Sequence, residues 1–433
     1  MKQRLFAIIL LMLPFTAQAV PSIQETRLDN GLRILLMEAH NVPMVSMSLV
    51  VPAGSRFDPE KRGGTASMLA AMLADHTARH EHKAWADMLD ADAMMLGSAV
   101  DNDGMTLSLT VLKDVLEPGI DALTEALLMP GWSEKRFTIL KEDSIAAARK
   151  ELEEPGIRAA EAAAELIFSN HPYGHRSEGS LASLQAIGLS DLKALYQRQV
   201  KPDGAVLAVS GDITMDELKP LIAKALSNWK GTPETGLYDI VRPVNVIGQQ
   251  ADVELPTSQT QLQLLRLGPE RTSPDFFPVF VLNHMLGGGG FGSKLMEEVR
   301  EKRGLVYGVY SYFVPLATNG PFVISLQTRG DQAAEAERVV RSVLSTMAEG
   351  KISAKALKAT KENLTGSFAQ RMDSNRERVA LIAMIGFYGM PLDYLSQWTR
   401  RVKEVSLQEV KDQAAIYLDP EQWNRIRIGS DLK

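Results

Sequence analysis

Residues 29–73 read DNGLRILLMEAHNVPMVSMSLVVPAGSRFDPEKRGGTASMLAAML. Within them, GLRILLMEA (31–39) and PMVSMSLVVPAG (43–54) are β-rich and partly alternating, which predicts two strands. A turn containing Asn41 and Pro43 separates them. Residues 64–74 change period and predict an apolar helix. Strand, strand, helix is therefore the first unit of the chain.

Outward from this unit, residues 73–91 are polar with a helical tendency. AVDNDGMTLSLTVLKDVL (99–116) carries the turn signal Asn102-Asp103-Gly104 and then an alternating strand. Helical stretches rich in Ala, Glu, Lys and Arg fill 133–169. Residues 204–229 predict a buried strand, a turn and a helix, with Thr214 and Glu217 spaced as a capping box. The second half repeats the order. QTQLQLLRLG (259–268) is an alternating strand, and DFFPVFVLNHML (275–286) is an apolar helix. Residues 333–349 and 353–370 resemble the helix pair at 114–128 and 133–152. Repetition of this kind predicts two similar α/β domains, each a sheet packed by helices, of the α+β class. Pro/Gly-rich GTPETG (231–236) and RPVN (242–245) place the junction. The expected domains are residues 20–235 and 251–433, with 236–250 as linker.

A length of 433 residues suits two domains, and 45% hydrophobic with 23% charged residues is ordinary for a globular protein. The first nineteen residues read differently. Lys2 and Arg4 precede the apolar run LFAIILLMLPF (5–15), and Ala17-Gln18-Ala19 fits a cleavage site. The expectation is a signal peptide over 1–19, a periplasmic mature protein, and no membrane span after cleavage. Losing Lys2 and Arg4, and no acid, takes the net charge from −6 to −8. An acidic chain argues against a nucleic-acid partner, which wants a basic face. With no Cys there is neither a disulfide framework nor a thiolate metal site.

Residues 29–73 resemble the N-terminal stretch of the insulinase/pitrilysin family of zinc metallopeptidases, which includes the mitochondrial processing peptidase. LGGGGFGSKLMEEVREKRGLVYGVYSYF (286–313) is similar to that family's C-terminal-domain signature and is the more specific match. HPYGHRSEGS (171–180) and AVSGDITMDEL (208–218) also resemble family landmarks. The resemblance implies clam-shell halves of processing-peptidase type. In active members the helix matching 64–73 carries H-x-x-E-H, two His one turn apart with a general base between them. A further Glu on a later helix completes the zinc site. Laid on that pattern, this chain has Ser67 and Ala71 at the His positions and Ala70 at the base. Ala147 falls at about the third ligand, within a run of three alanines over 146–148. No H-x-x-E-H occurs elsewhere. The expectation is a chain that binds no metal at this site.

The resemblance also implies an Arg and a Tyr, seven residues apart, that reach the substrate from the second half. They fall on Arg300 and Tyr307. The local sequence predicts Arg300 near a helix end, Gly304 at the C-cap, and Tyr307 on the following strand. Guanidinium and phenol can both donate hydrogen bonds to a substrate carbonyl. GGGGFGSK (287–294) is not a phosphate loop, because its order is Gly-Ser-Lys and a helix precedes it. In the family this loop lies near the substrate, which implies substrate contact at Gly287, Gly288, Gly289 and Gly290. HTARHEH (76–82) is a rival metal candidate, since a helix would bring His76 and His80 onto one face, with His82 pointing away. His171 and His175 read as structural, and His40 and His284 have no partner that sequence identifies.

These readings predict a non-catalytic subunit of a heterodimeric periplasmic zinc peptidase. A homologous subunit bearing H-x-x-E-H would hold the zinc, and this chain would supply Arg300 and Tyr307 for peptide substrates. Two alternatives stay open at this level: a stand-alone peptide-binding or chaperone-like protein, and an active peptidase with an atypical metal site.

Overall fold

In a computed structural model, the structure describes residues 22–430 and 432. The expected signal peptide lies outside the described residues. Two mixed sheets carry the fold. The first comprises β1 (Gln24–Arg27), β2 (Arg33–Glu38), β3 (Met44–Val51), β4 (Met95–Val100), β5 (Met105–Leu112) and β6 (Val206–Gly211), in the order β1-β2-β6-β3-β5-β4. The second comprises β7 (Gln250–Glu254), β8 (Gln259–Leu267), β9 (Val309–Phe313), β10 (Pro321–Arg329) and β11 (Asn424–Gly429), in the order β7-β11-β8-β10-β9.

Setting β1 aside, the sheets match strand for strand. β2 runs parallel to β6 as β7 does to β11, and every other pairing is antiparallel in both. The two halves are therefore copies of one α/β plan. In each, a helix follows the long early strand: Thr65–Asp75 after β3 and Phe276–Asn283 after β8. The paired helices Leu116–Leu128 and Glu134–Glu151 have counterparts in Ala333–Ala348 and Ala354–Gly366.

Alternation sets which sheet face each core uses. In β5, Met105, Leu107, Leu109 and Val111 are buried, while Thr106, Ser108 and Thr110 face the other way. The first core lies between that apolar face and the helices Thr65–Asp75, Leu116–Leu128 and Leu189–Gln199. The opposite face is covered by a helix from the other half. Asn375–Phe387 packs on β2, β3 and β6, and Pro155–Ile167 packs on β8 and β11 of the second sheet. The halves thus exchange one helix each.

Local chemistry explains where these helices start. Pro155 sits at the first turn, where its missing N–H costs nothing, and Ser374 with Glu377 forms a capping box. The predicted capping box at Thr214 and Glu217 is present too. Gly386 lets its helix approach the sheet, since a Cβ there would meet Leu35 Cδ1 at 2.5 Å and Val206 Cγ1 at 2.7 Å. Arg33 also donates to the Gly386 carbonyl at 2.8 Å.

A buried carboxylate joins the halves. Asp103, in the β4–β5 hairpin turn, is fully buried. It accepts from Tyr173 Oη at 2.5 Å within its own half. From the second half it accepts Tyr388 Oη at 3.0 Å and the Ala317 N–H at 2.8 Å. Arg56 Nη1 lies 3.7 Å away with its side chain only 2% exposed. Both tyrosines are pushed above the usual phenol range by burial and by the Asp103 charge.

Candidate functional site

The helix Thr65–Asp75 begins where Asp58 caps it. Asp58 accepts from the N–H groups of Gly64 and Ala66, both at 2.7 Å, and from His175 Nε2 at 3.1 Å. Burial pushes the Asp58 carboxyl up, against the pull of His175 and the two amides. On this helix Ser67 and Ala71 are half-buried and Ala70 is buried against the core. Ser67 Oγ donates to the Ser177 carbonyl at 2.6 Å. Beside it Arg176 donates to Glu151, at the end of the helix Glu134–Glu151, at 2.9 Å. The 175–178 segment therefore ties together the two helices that would carry a metal.

Within Glu134–Glu151, Ala147 is exposed, and its neighbour Ala148 is buried in the first core. Both are Ala, so either register leaves this position without a ligand atom. Three methyl groups and one hydroxyl committed to a carbonyl do not fit zinc, which takes Cys, His or carboxylate ligands.

The histidine segment 76–82 does not form the helix its spacing suggested. The first helix ends at Asp75 and the next, His82–Ala91, begins after six intervening residues, so the i, i+4 relation fails. His76 Nδ1 lies 2.9 Å from Asp75, and His82 Nδ1 lies 3.1 Å from the same carboxylate. His80 Nδ1 turns instead to Glu125 at 2.8 Å. Asp75 is also clamped by Arg136 at 2.9 and 2.5 Å. Burial raises its pKa, but Arg136, together with His82 and His76, holds it below the usual carboxylate range. Among the described residues, no group of three or more His, Asp or Glu side chains is placed to hold a metal ion.

The other histidines have clear local partners. His171 Nε2 meets the Val241 carbonyl at 2.9 Å, and its Nδ1 accepts the Tyr173 N–H at 3.1 Å. His40 lies between Asp212 (2.6 Å) and Glu38 (3.0 Å). His284 Nε2 faces Asn363 Oδ1 at 3.2 Å.

In the second half, Arg300 lies on the wide helical turn Met296–Glu301, and Gly304 closes it in the left-handed conformation (φ +62°). The Gly304 N–H donates to the Arg300 carbonyl at 2.8 Å. Tyr307 is not on the strand as expected, because β9 begins two residues later at Val309. The connecting loop leaves the Tyr307 ring 89% exposed. Even so, the pair comes together: the Arg300 guanidinium is 5.9 Å from the Tyr307 ring centroid.

The Arg300 guanidinium also lies 4.8 Å from the ring centroid of Phe291, itself exposed. Sequence reading missed Phe291. It stands inside the glycine run, whose glycines drew the attention, and no spacing rule points to it. Neighbouring charges are settled among themselves. Glu298 is held at about 2 by Lys302 and Lys294, against a small opposing effect of burial, with Arg303 adding to the pull. Among the described residues, Arg300 has no carboxylate partner and Tyr307 Oη no hydrogen bond, so both donors are free.

The glycine run has a packing reason at three positions. A Cβ on Gly287 would lie 2.5 Å from Ser311 N on β9. Gly288 and Gly289 close against Asn283 and His284 in the same way, both at 2.7 Å. Gly290 has open space around it but φ +59°. Close backbone approach within the half accounts for Gly287 and Gly289, and the Asn283 side-chain amide is the near neighbour of Gly288.

Comparison with known proteins gives a consistent picture. The family described as Insulinase (Peptidase family M16) matches residues 33–174, and the one described as Peptidase M16 inactive domain matches 186–364. The "Non-peptidase homolog YmxG" of Helicobacter pylori is 23% identical over 88% of this chain and 87% of its own length. An "Uncharacterized zinc protease YmxG" of Bacillus subtilis is 22% identical over 83% and 86%. The solved structure of a "peptidase M16 inactive domain" from Pseudomonas fluorescens superposes with TM-score 0.89 at 30% identity, covering 94% of this chain and 98% of that one.

Proposed function

Because the chain belongs to the insulinase (peptidase M16) family, as a non-catalytic member, we propose that it is one subunit of a heterodimeric periplasmic peptidase. A homologous partner bearing H-x-x-E-H supplies the metal centre. This chain supplies Arg300 and Tyr307. The observation that carries the reading is the Phe291–Arg300–Tyr307 stack: two hydrogen-bond donors, both unused, at the surface of a chain whose own ligand positions are Ser and Ala.

Free donors of this kind suit a carbonyl oxygen that gains negative charge when a peptide bond is attacked. Arg300 is held 4.8 and 5.9 Å from two ring centroids, so little side-chain freedom is lost when it binds. Both groups donate and neither is a base, so they orient and stabilise, and this chain removes no proton. Substrates are peptides in extended or unfolded form.

The test is peptide cleavage by this chain, by its partner, and by the mixture. Activity belongs chiefly to the mixture. Arg300→Ala and Tyr307→Phe each lower turnover at least tenfold, about 1.4 kcal/mol of transition-state stabilisation, without changing assembly by gel filtration. Full turnover in both variants would refute the role assigned to the pair. Equal activity of the partner alone would refute the shared site and favour a stand-alone peptide-binding protein.

A further inference from the structure

Where the two halves meet, a cleft of about 380 Å³ lies between the first sheet, the hairpin turn at Asp101, the 314–316 loop and the exchanged helix Asn375–Phe387. Arg271 forms one wall, its guanidinium 5.2 Å from the Tyr388 ring centroid. Its Nε is buried without a partner. Arg271 is half-buried, and among the described residues its side chain makes no hydrogen bond and no ion pair, which sets it apart from the buried Arg56 and Arg266 and the half-buried Arg425. Arg56 donates to the Gly236 carbonyl, Arg266 to those of Ile416 and Tyr417, and Arg425 to Asp252.

Asp101 lines the same cleft and is exposed there. Its Oδ1 accepts the N–H groups of Asp103 at 2.8 Å and Gly104 at 2.7 Å. Its Oδ2 has no partner among the described residues, and it does not pair with Arg271.

A cation and an anion that share a cleft without meeting are complementary to a ligand carrying both charges. A guanidinium takes a carboxylate through two parallel N–H donors, and a carboxylate oxygen takes an ammonium. Val50, Leu316 and Met384 provide apolar wall for a side chain, and Ser48 and Thr106 place hydroxyls beside it. The volume is of the size that small-molecule sites have. We propose that this cleft binds the zwitterionic main chain of a free amino acid or a short peptide, its carboxylate on Arg271 and its ammonium on Asp101. This site lies within one chain and does not depend on the heterodimer reading.

The test is the thermal unfolding of the full chain with free alanine, Ala-Ala, N-acetyl-Ala-Ala and Ala-Ala-amide. At a hundredfold excess over Kd the midpoint rises by about 2–4 °C with the zwitterionic probes and much less with either capped form. Response to alanine alone identifies an amino-acid site, and response to Ala-Ala alone a peptide site. Arg271→Met abolishes the response, and its ligand-free midpoint stays at or above that of the parent, since it removes a half-buried charge that has no partner among the described residues. Asp101→Asn keeps the Oδ1 acceptor for the turn but loses the ammonium partner, so it abolishes the response in a folded protein. The proposal is overturned by no shift with either zwitterion, by equal shifts with the capped forms, or by a parent-like response in Asp101→Asn.

Discussion

Replacing Asp103 with Ala tests how the halves are held together. The carboxylate is fully buried and serves three donors: Tyr173 Oη at 2.5 Å, Ala317 N at 2.8 Å and Tyr388 Oη at 3.0 Å. Stranding a buried donor costs about 1–3 kcal/mol each. Arg56, its side chain 2% exposed, loses the one carboxylate within 4 Å of it among the described residues. Breaking a buried pair from one side costs about 3–5 kcal/mol. These costs overlap, because a relaxing seam admits water to all four groups at once. The expected loss for Asp103→Ala is about 5 kcal/mol.

Asp103→Asn keeps volume and one acceptor but removes the charge, and is expected to cost about 2–3 kcal/mol. Urea unfolding followed by far-UV circular dichroism gives the values. A double-mutant cycle with Tyr388→Phe should show coupling of at least about 0.5 kcal/mol, since the two groups touch across the seam. If Asp103→Ala unfolds within about 1 kcal/mol of the parent, this carboxylate does not hold the seam and the reasoning is wrong.

Other expectations follow from single features. Glu298 has a folded-state pKa of about 2, below its unfolded value, so its contribution to stability is complete above about pH 4.5 and is lost as pH falls toward 2. Glu298→Gln should flatten the stability-against-pH curve in that window and leave its shape above pH 5 unchanged. Gly287→Ala, with its Cβ 2.5 Å from Ser311 N, should destabilise by about 1–3 kcal/mol, whereas Gly292→Ala, with open space around it, should stay within about 1 kcal/mol. Equal effects would show that packing is not what requires glycine at 287. Residues 22–235 expressed alone lack the helix Asn375–Phe387 that covers β2, β3 and β6. They should bind an apolar dye and aggregate, and co-expression with the remainder should rescue them.

Much of the architecture was legible in the residue order. Alternation in β5, the capping box at Thr214 and Glu217, and Gly304 at a helix end are local signals, set by backbone sterics and by which face meets the core; β8, alternating in sequence, is buried on both faces because a helix from the first half covers it. Recurrence of the same order in the second half pointed to two copies of one α/β plan. The resemblance set Ser67, Ala70 and Ala71 at the motif positions; that Ser67 Oγ donates to the Ser177 carbonyl was not legible, because its partner lies 110 residues away. The exposed stack at Phe291 was not legible, nor was the failure of the histidine helix at 76–81. Both depend on loops whose paths are set by contacts distant in sequence.

What composition, period and spacing determined was the kind of each element; which positions match the family's zinc motif came from the resemblance. Only the tertiary structure decided that the halves exchange helices, that Asp103 is buried between them, and that Arg271 is left without a partner. Local rules describe a residue's own neighbours, at most a turn or a pleat away. Burial and pairing of a charge depend on what the rest of the chain brings to it from hundreds of residues away, as Tyr388 is brought to Asp103.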